Sequence, residues 1–187
     1  MRAYCDRRLS VHRFGSDLLT LRALWRLEVG NRVLPWYAEE KLRSGAFSSI
    51  LGLQVEAGGS WNSVAIGDSC LAQVRAKDLY TCFPIQRSED FSNRPRLVSS
   101  VPEVHGEPSG ALMQLDGDWQ EGDKFYLMTD ALASWFLDRA EQGHAPWMDL
   151  DVMIARHRLQ FVRWVETQRY SHTMRNDDVT LLRLSLR

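Results

Sequence analysis

Three cysteines are all this sequence contains, Cys5, Cys70 and Cys82, and none stands at zinc-site spacing. An odd count without such spacing argues against a disulfide framework and fits free thiols in a reducing cytoplasm. His12, His105, His144, His157 and His172 are scattered with no pair at ligand spacing, so a histidine-metal site is not expected. No apolar run approaches the ~18 residues of a membrane span. The opening MRAYCDRRLSVHRFG lacks the apolar stretch and cleavage site of a signal peptide. A formal charge of −1 leaves no basic footprint for nucleic acid. There is no internal repeat, no low-complexity tract and no Gly-rich phosphate loop. What remains is a globular composition, 44% hydrophobic and 25% charged, over 187 residues. That length most simply makes one domain with a sizeable core.

The first 45 residues read as helical. Leu18, Leu19, Leu21, Trp25 and Val29 form an apolar stripe with Ser16 as a plausible cap. LPWYAEEKLRSGAF reads as a second helix, with Pro35 in its first turn and Gly45 as its stop. From Phe47 the pattern turns to strands: FSSILGLQVE, WNSVAIGDS, CLAQVR and LYTCFPI, with EAGGS and AKD as hairpin turns. Glu89 to Gly110 is rich in Pro, Ser and Asn and reads as a long ordered loop or flap. KFYLMTD is another strand, ALASWFLDRAEQG a helix ending near Gly143, and MDLDVMIARHRLQFVRWVETQRY one or two more helices. Val179 opens a closing strand. Trp135, Trp36, Trp147 and Trp164 read as packing residues. Strands flanked by helical runs indicate an α+β layered domain.

The acidic positions carry the chemistry. FYLMTD ends an apolar strand in Asp130 before a helix, and RNDD sets Asp177 and Asp178 before the closing strand. Carboxylates at rigid strand ends suit hard cations, which favour oxygen ligands. Each also has an ordinary reading: Asp130 as a helix cap, Asp177 as a solvated turn, and Asp68 of AIGDSC as half of a Gly-Asp turn.

Taken in order, SVAIGDSCLAQVR, GDKFYLMTDALASWFL and RNDDVTLL resemble the metal-dependent protein serine/threonine phosphatases, the protein phosphatase 2C family. GAFSSILGLQV is similar to the family's helix-to-strand passage, and the resemblance runs from about Ala46 to Leu186. It implies a layered antiparallel β-sandwich flanked by helices, α-β-β-α, within an α+β domain. It also implies phosphoserine or phosphothreonine ester hydrolysis by water activated between two Mg²⁺ or Mn²⁺ ions. By position, Asp130 and Asp177 would be ligands of one metal, Asp68 would help hold a weaker one, and Asp178 ranks below them. The implied partners are a phosphorylated protein and a cognate kinase, with no nucleic acid and no membrane.

The departures are specific. No Asp-Gly motif precedes Ala46, so the aspartate that bridges both metals in the family is missing, as is the early phosphate-binding arginine. Ala131 replaces the glycine of Thr/Ser-Asp-Gly, and Cys70 stands where arginine is frequent. The expectation is a single partial phosphatase domain whose beginning lies upstream of Met1. The alternative is a catalytically dead relative that binds phosphoproteins or a regulatory partner. Arg94 and Arg96 in SNRPRL are the substrate-phosphate candidates, against surface arginines of a solvated loop. A missing strand would leave a sheet edge open to self-association.

Overall fold

Along CLAQVR five consecutive side chains, Cys70 to Val74, are buried. A strand hidden on both faces belongs in the middle of a sheet, and that is where β4 lies. A computed structural model describes residues 11–30, 35–92, 94–102, 111–156 and 158–187. The strands are β1 (Phe47–Ser48), β2 (Ile50–Val55), β3 (Ser60–Ile66), β4 (Cys70–Arg75), β5 (Asp78–Phe83), β6 (Val98–Ser99), β7 (Met113–Asp118), β8 (Lys124–Met128) and β9 (Leu181–Ser185). The helices are α1 (Val11–Gly30), α2 (Trp36–Ser44), α3 (Asp130–Glu141), α4 (Pro146–Ala155) and α5 (Arg158–Tyr170), with a 3-10 turn at Ser88–Asp90. The class is α+β with antiparallel pairing, as the sequence led us to expect. The chain falls into two compact units, Met1–Gly67 with Arg96–Gly117, and Asp68–Pro95 with Asp118–Arg187.

The first unit contains α1, α2, the β1–β6 pair and the sheet β2-β3-β7. EAGGS makes the β2–β3 hairpin, pairing Ile50 with Ile66 and Val55 with Trp61. A small core gathers Leu18, Ile66, Val98 and Ala111. Ser16 is not a cap: α1 begins at Val11, and the Ser16 carbonyl accepts from Thr20 Oγ1 inside the helix. Of the stripe on α1, Leu18 is buried while Leu19 and Leu21 are exposed. Trp36 is also exposed, because no described residue of the short helix α2 is buried. Pro35 and Gly45 do bound that helix. The polar run MQLDGD hid β7 from periodicity. Its Gly117 lies so close to Trp61 that an added Cβ would stand 2.5 Å from the indole, leaving room only for glycine. Within Glu89–Gly110 the described residues hold most of the 3-10 turn and β6, while 93 and 103–110 lie outside them.

The second unit is built on the sheet β5-β4-β8-β9. Cys70, Ala72, Val74, Tyr126 and Met128 line one face and pack with Leu132, Trp135 and Phe136 of α3, and with Leu150 of α4. Each such side chain contributes roughly 1.5–3 kcal/mol on leaving water. Trp135 and Trp164 meet edge to face at 4.9 Å, so the packing role foreseen for both holds.

Two carboxylates lock this unit. Asp151 on α4 accepts from Lys124 Nζ at 2.5 Å, Tyr126 Oη at 2.8 Å and Arg183 Nη1 at 2.8 Å, which pins the helix to β8 and β9. Asp123, 1% exposed, accepts from Gln73 Nε2 at 2.8 Å, Arg75 Nη2 at 2.9 Å and the Gln120 N–H at 3.0 Å.

Among the described residues β9 is an outer strand, and Leu182 and Leu184, two apart on one face, are 61% and 39% exposed. An outer strand with apolar side chains and unpaired backbone groups is a template for another strand. We propose that this edge mediates self-association. Sedimentation velocity should give an average mass that rises with concentration and falls back in Leu182→Lys. A monomer at every concentration would contradict the proposal.

Candidate functional site

The site begins where β8 runs out. Met128 is its last residue, Thr129 follows in extended conformation (φ −71°, ψ 162°), and Asp130 is the first residue of α3. Thr129 takes the N-cap position yet does not use its side chain as a cap. Its Oγ1 instead donates to the Asp178 carbonyl at 2.9 Å and accepts from the Thr180 N–H at 3.0 Å. Its own N–H donates to the Thr180 carbonyl at 3.3 Å. These bonds clip the segment carrying Asp177 and Asp178 to the junction carrying Asp130.

Asp130 is half-buried in the first turn of α3, where the helix dipole favours a negative charge. With Thr129 at the cap position, its carboxylate makes no hydrogen bond or ion pair among the described residues. Asp177 is exposed, and its Oδ1 accepts from the Asp178 N–H at 2.7 Å. Arg169 Nη2 donates to the Asp177 carbonyl, which ties the turn back to α5. Asp177 does not sit directly at a strand mouth, because β9 starts only at Leu181 and Val179 precedes it. Asp178 enters the clip through its backbone, and its side chain is exposed.

Asp68 lies half-buried in the bend between β3 and β4, where Cys70 Sγ donates to its carbonyl at 3.4 Å. Its carboxyl is held above the ordinary aspartate pKa. Burial is the largest cause, followed by the negative charges of Asp130 and, less strongly, Asp177. A bond to its own backbone and the Arg175 guanidinium offset part of this. Asp68 therefore lies within electrostatic reach of both Asp130 and Asp177. Their oxygen-only chemistry fits a hard divalent cation, but their number does not close around one. Among the described residues no group of three or more His, Cys, Asp or Glu could hold a metal ion.

Arg94 and Arg96 are exposed, and Arg94 engages Ser92 through its backbone N–H. Neither lines the cleft of the second unit, about 1000 Å³, that contains Trp135, Arg169 and Arg175. Sequence reasoning missed the Thr129 hydroxyl and Arg169. The signal for the first was available, since a threonine at a strand-to-helix junction has a hydroxyl to spend. Nothing in the sequence points to Arg169, which acts on a backbone carbonyl eight residues away.

No protein-family model matches this chain, and no curated protein matches it. Solved structures do. The photosystem II phosphatase PBCP aligns at 17% identity and TM-score 0.38, over 63% of this chain and 47% of its own. PppA, a key regulatory component of T6SS in Pseudomonas aeruginosa, aligns at 20% identity and TM-score 0.40, over 65% and 50%. The phosphatase domain of the cell fate determinant SpoIIE from Bacillus subtilis aligns at 15% and 0.40, over 90% and 73%. All three alignments are at low identity, and the chain spans about half the length of the first two. Among the described residues no helix is long and apolar enough to cross a membrane.

Thr129→Val keeps the shape of the clip and removes both side-chain bonds, a loss of about 1–2 kcal/mol. Hydrogen exchange should show the Thr180 amide losing protection, while Thr129→Ser retains it. Unchanged protection in the valine variant would show that the clip does not hold the segment.

Proposed function

We propose that this chain carries metal-binding residues of a metal-dependent phosphatase acting on phosphoserine or phosphothreonine esters of proteins. The reading rests on the order of the motifs around Asp68, Asp130 and Asp177. The observation that carries it is the Thr129 clip, which joins the Asp130 junction to the Asp177 turn, with the Asp68 carboxyl raised by burial and by the charges of both. Asp130 and Asp177 would hold Mg²⁺ or Mn²⁺, with Asp68 and, more weakly, Asp178 near it. Such a pair of ions supplies a lowered water pKa and a countercharge for the phosphate. The chain's own work is positional: the clip fixes the two segments, and the packed helix α3 presents Asp130. Arg94 and Arg96 remain candidate contacts for substrate.

A second reading is favoured by the open donor set. Without three ligands in reach among the described residues, the same surface would bind phosphoproteins without hydrolysing them.

Mn²⁺ titration of the full chain by calorimetry, paired with hydrolysis of 4-nitrophenyl phosphate, separates the readings. The phosphatase reading predicts Mn²⁺ binding that weakens ~10-fold or more in Asp130→Ala, and turnover lost in Asp177→Asn. Metal binding or phosphopeptide binding with no turnover supports the second reading. Mn²⁺ binding indifferent to Asp130 removes the metal site.

A further inference from the structure

An open cleft of about 1000 Å³ lies beside the carboxylates in the second unit. The 3-10 turn, α3 and the end of α5 with its following loop form its walls. Two connections tie it to the candidate centre. Ser134, in its wall, is four residues beyond Asp130 and so on the same face of α3. The lining loop, from His172 to Asn176, runs directly into Asp177.

The cleft has buried donors with nothing to donate to. Trp135 is 3% exposed, and its indole N–H has no hydrogen-bond partner among the described residues. The Nε of Arg169 is in the same position, although its other nitrogens hold Glu166 and the Asp177 carbonyl. A buried donor left unpaired costs about 1–3 kcal/mol, which a guest rich in acceptors would recover. The carbonyls of an extended polypeptide are such acceptors.

The charges of the lining are unevenly engaged. Glu89 is paired with Arg87, Glu166 with Arg169, and Asp138 accepts from the Gln142 amide. Arg175 is exposed and makes no hydrogen bond or salt bridge among the described residues, while its charge is felt at Asp68. The guanidinium nearest in sequence to Asp177 is thus uncommitted, and its fork of donors suits phosphoryl oxygens.

We propose that this cleft seats the polypeptide beside the phosphorylated residue of a phosphoprotein, and that Arg175 grips the phosphate. The fate of that phosphate rests on the phosphatase reading, whereas its binding does not. Arg175 stands in the stretch RNDD itself, where its neighbours Asp177 and Asp178 drew the attention.

Fluorescence anisotropy tests this on the full chain with two labelled peptides of one sequence, carrying serine or phosphoserine, in EDTA and again with Mn²⁺ in Asp177→Asn, where turnover does not consume the phosphopeptide. The phosphorylated peptide should bind about tenfold more tightly in both conditions, as charge-assisted guanidinium bonds imply. Arg175→Glu should erase that preference and Arg175→Lys should keep part of it. Ser134→Trp, which fills the cleft, should weaken both peptides together, with thermal melts checking that each variant is folded. A phosphate preference untouched by Arg175→Glu, or affinities untouched by Ser134→Trp, overturns the proposal. A preference that survives in Asp177→Asn while hydrolysis is absent in every form supports the cleft and counts against the phosphatase reading alone.

Discussion

Thr129 Oγ1 donates to one carbonyl and accepts from one amide, and the joining of the Asp130 junction to the Asp177 segment depends on that pair of hydrogen bonds. A helix N-cap threonine normally spends its hydroxyl on its own helix. Here it bonds a segment about fifty residues away, so the first turn of α3 and the turn before β9 are positioned by one side chain. The arrangement is rigid on the α3 side, where Leu132, Trp135 and Phe136 are packed into the core. It is lighter on the other side, where Asp177 and Asp178 are exposed and held mainly by the clip and by Arg169.

Three aspartates in the second unit show what distinguishes a structural acid from a candidate functional one. Burial alone would raise the pKa of Asp151 and Asp123, yet both are lowered. Lys124, Arg183 and Tyr126 more than offset burial at the first, and Arg75, Gln120 and Gln73 at the second. Asp68 is raised, first by burial and then by the charges of Asp130 and Asp177, which its own backbone bond and the Arg175 guanidinium only partly offset. Like charges gathered without a cation cost stability, and such clusters concentrate at functional sites. The paired acids around them keep the sheet and α4 fixed while the unpaired ones repel.

Where the pattern was strong, the fold could be read in advance. Short β-rich runs split by turn residues gave β2 to β5 and β8, and Pro35, Gly45 and Gly143 marked helix ends because each meets a backbone requirement there. β7 was invisible because MQLDGD carries its weight in one glycine under Trp61 and in polar side chains. The start of β9 was misplaced by two residues because Val179 looks like a strand residue while the clip holds the chain in a turn. The order of the motifs singled out Asp68, Asp130 and Asp177 as candidates. Which of them is crowded by which was not legible, since Asp68 meets Asp130 and Asp177 only through tertiary structure. For the same reason nothing in the sequence singles out Asp123, Asp151 or Arg175.

The central claim is that Asp68, Asp130 and Asp177 share one electrostatic environment. The most direct test is the titration of the Asp68 side-chain carboxyl by NMR in the native chain and in Asp130→Asn. In the native chain the carboxyl should titrate above the ordinary aspartate value, and in the variant its pKa should fall. A carboxyl whose folded pKa exceeds its unfolded one costs stability once ionised, and the cost fades as pH drops through that folded value. Asp130→Asn should therefore be the more stable protein near neutrality, with the two converging in acid. Asp68 titrating at the ordinary aspartate value in both proteins would contradict the shared centre.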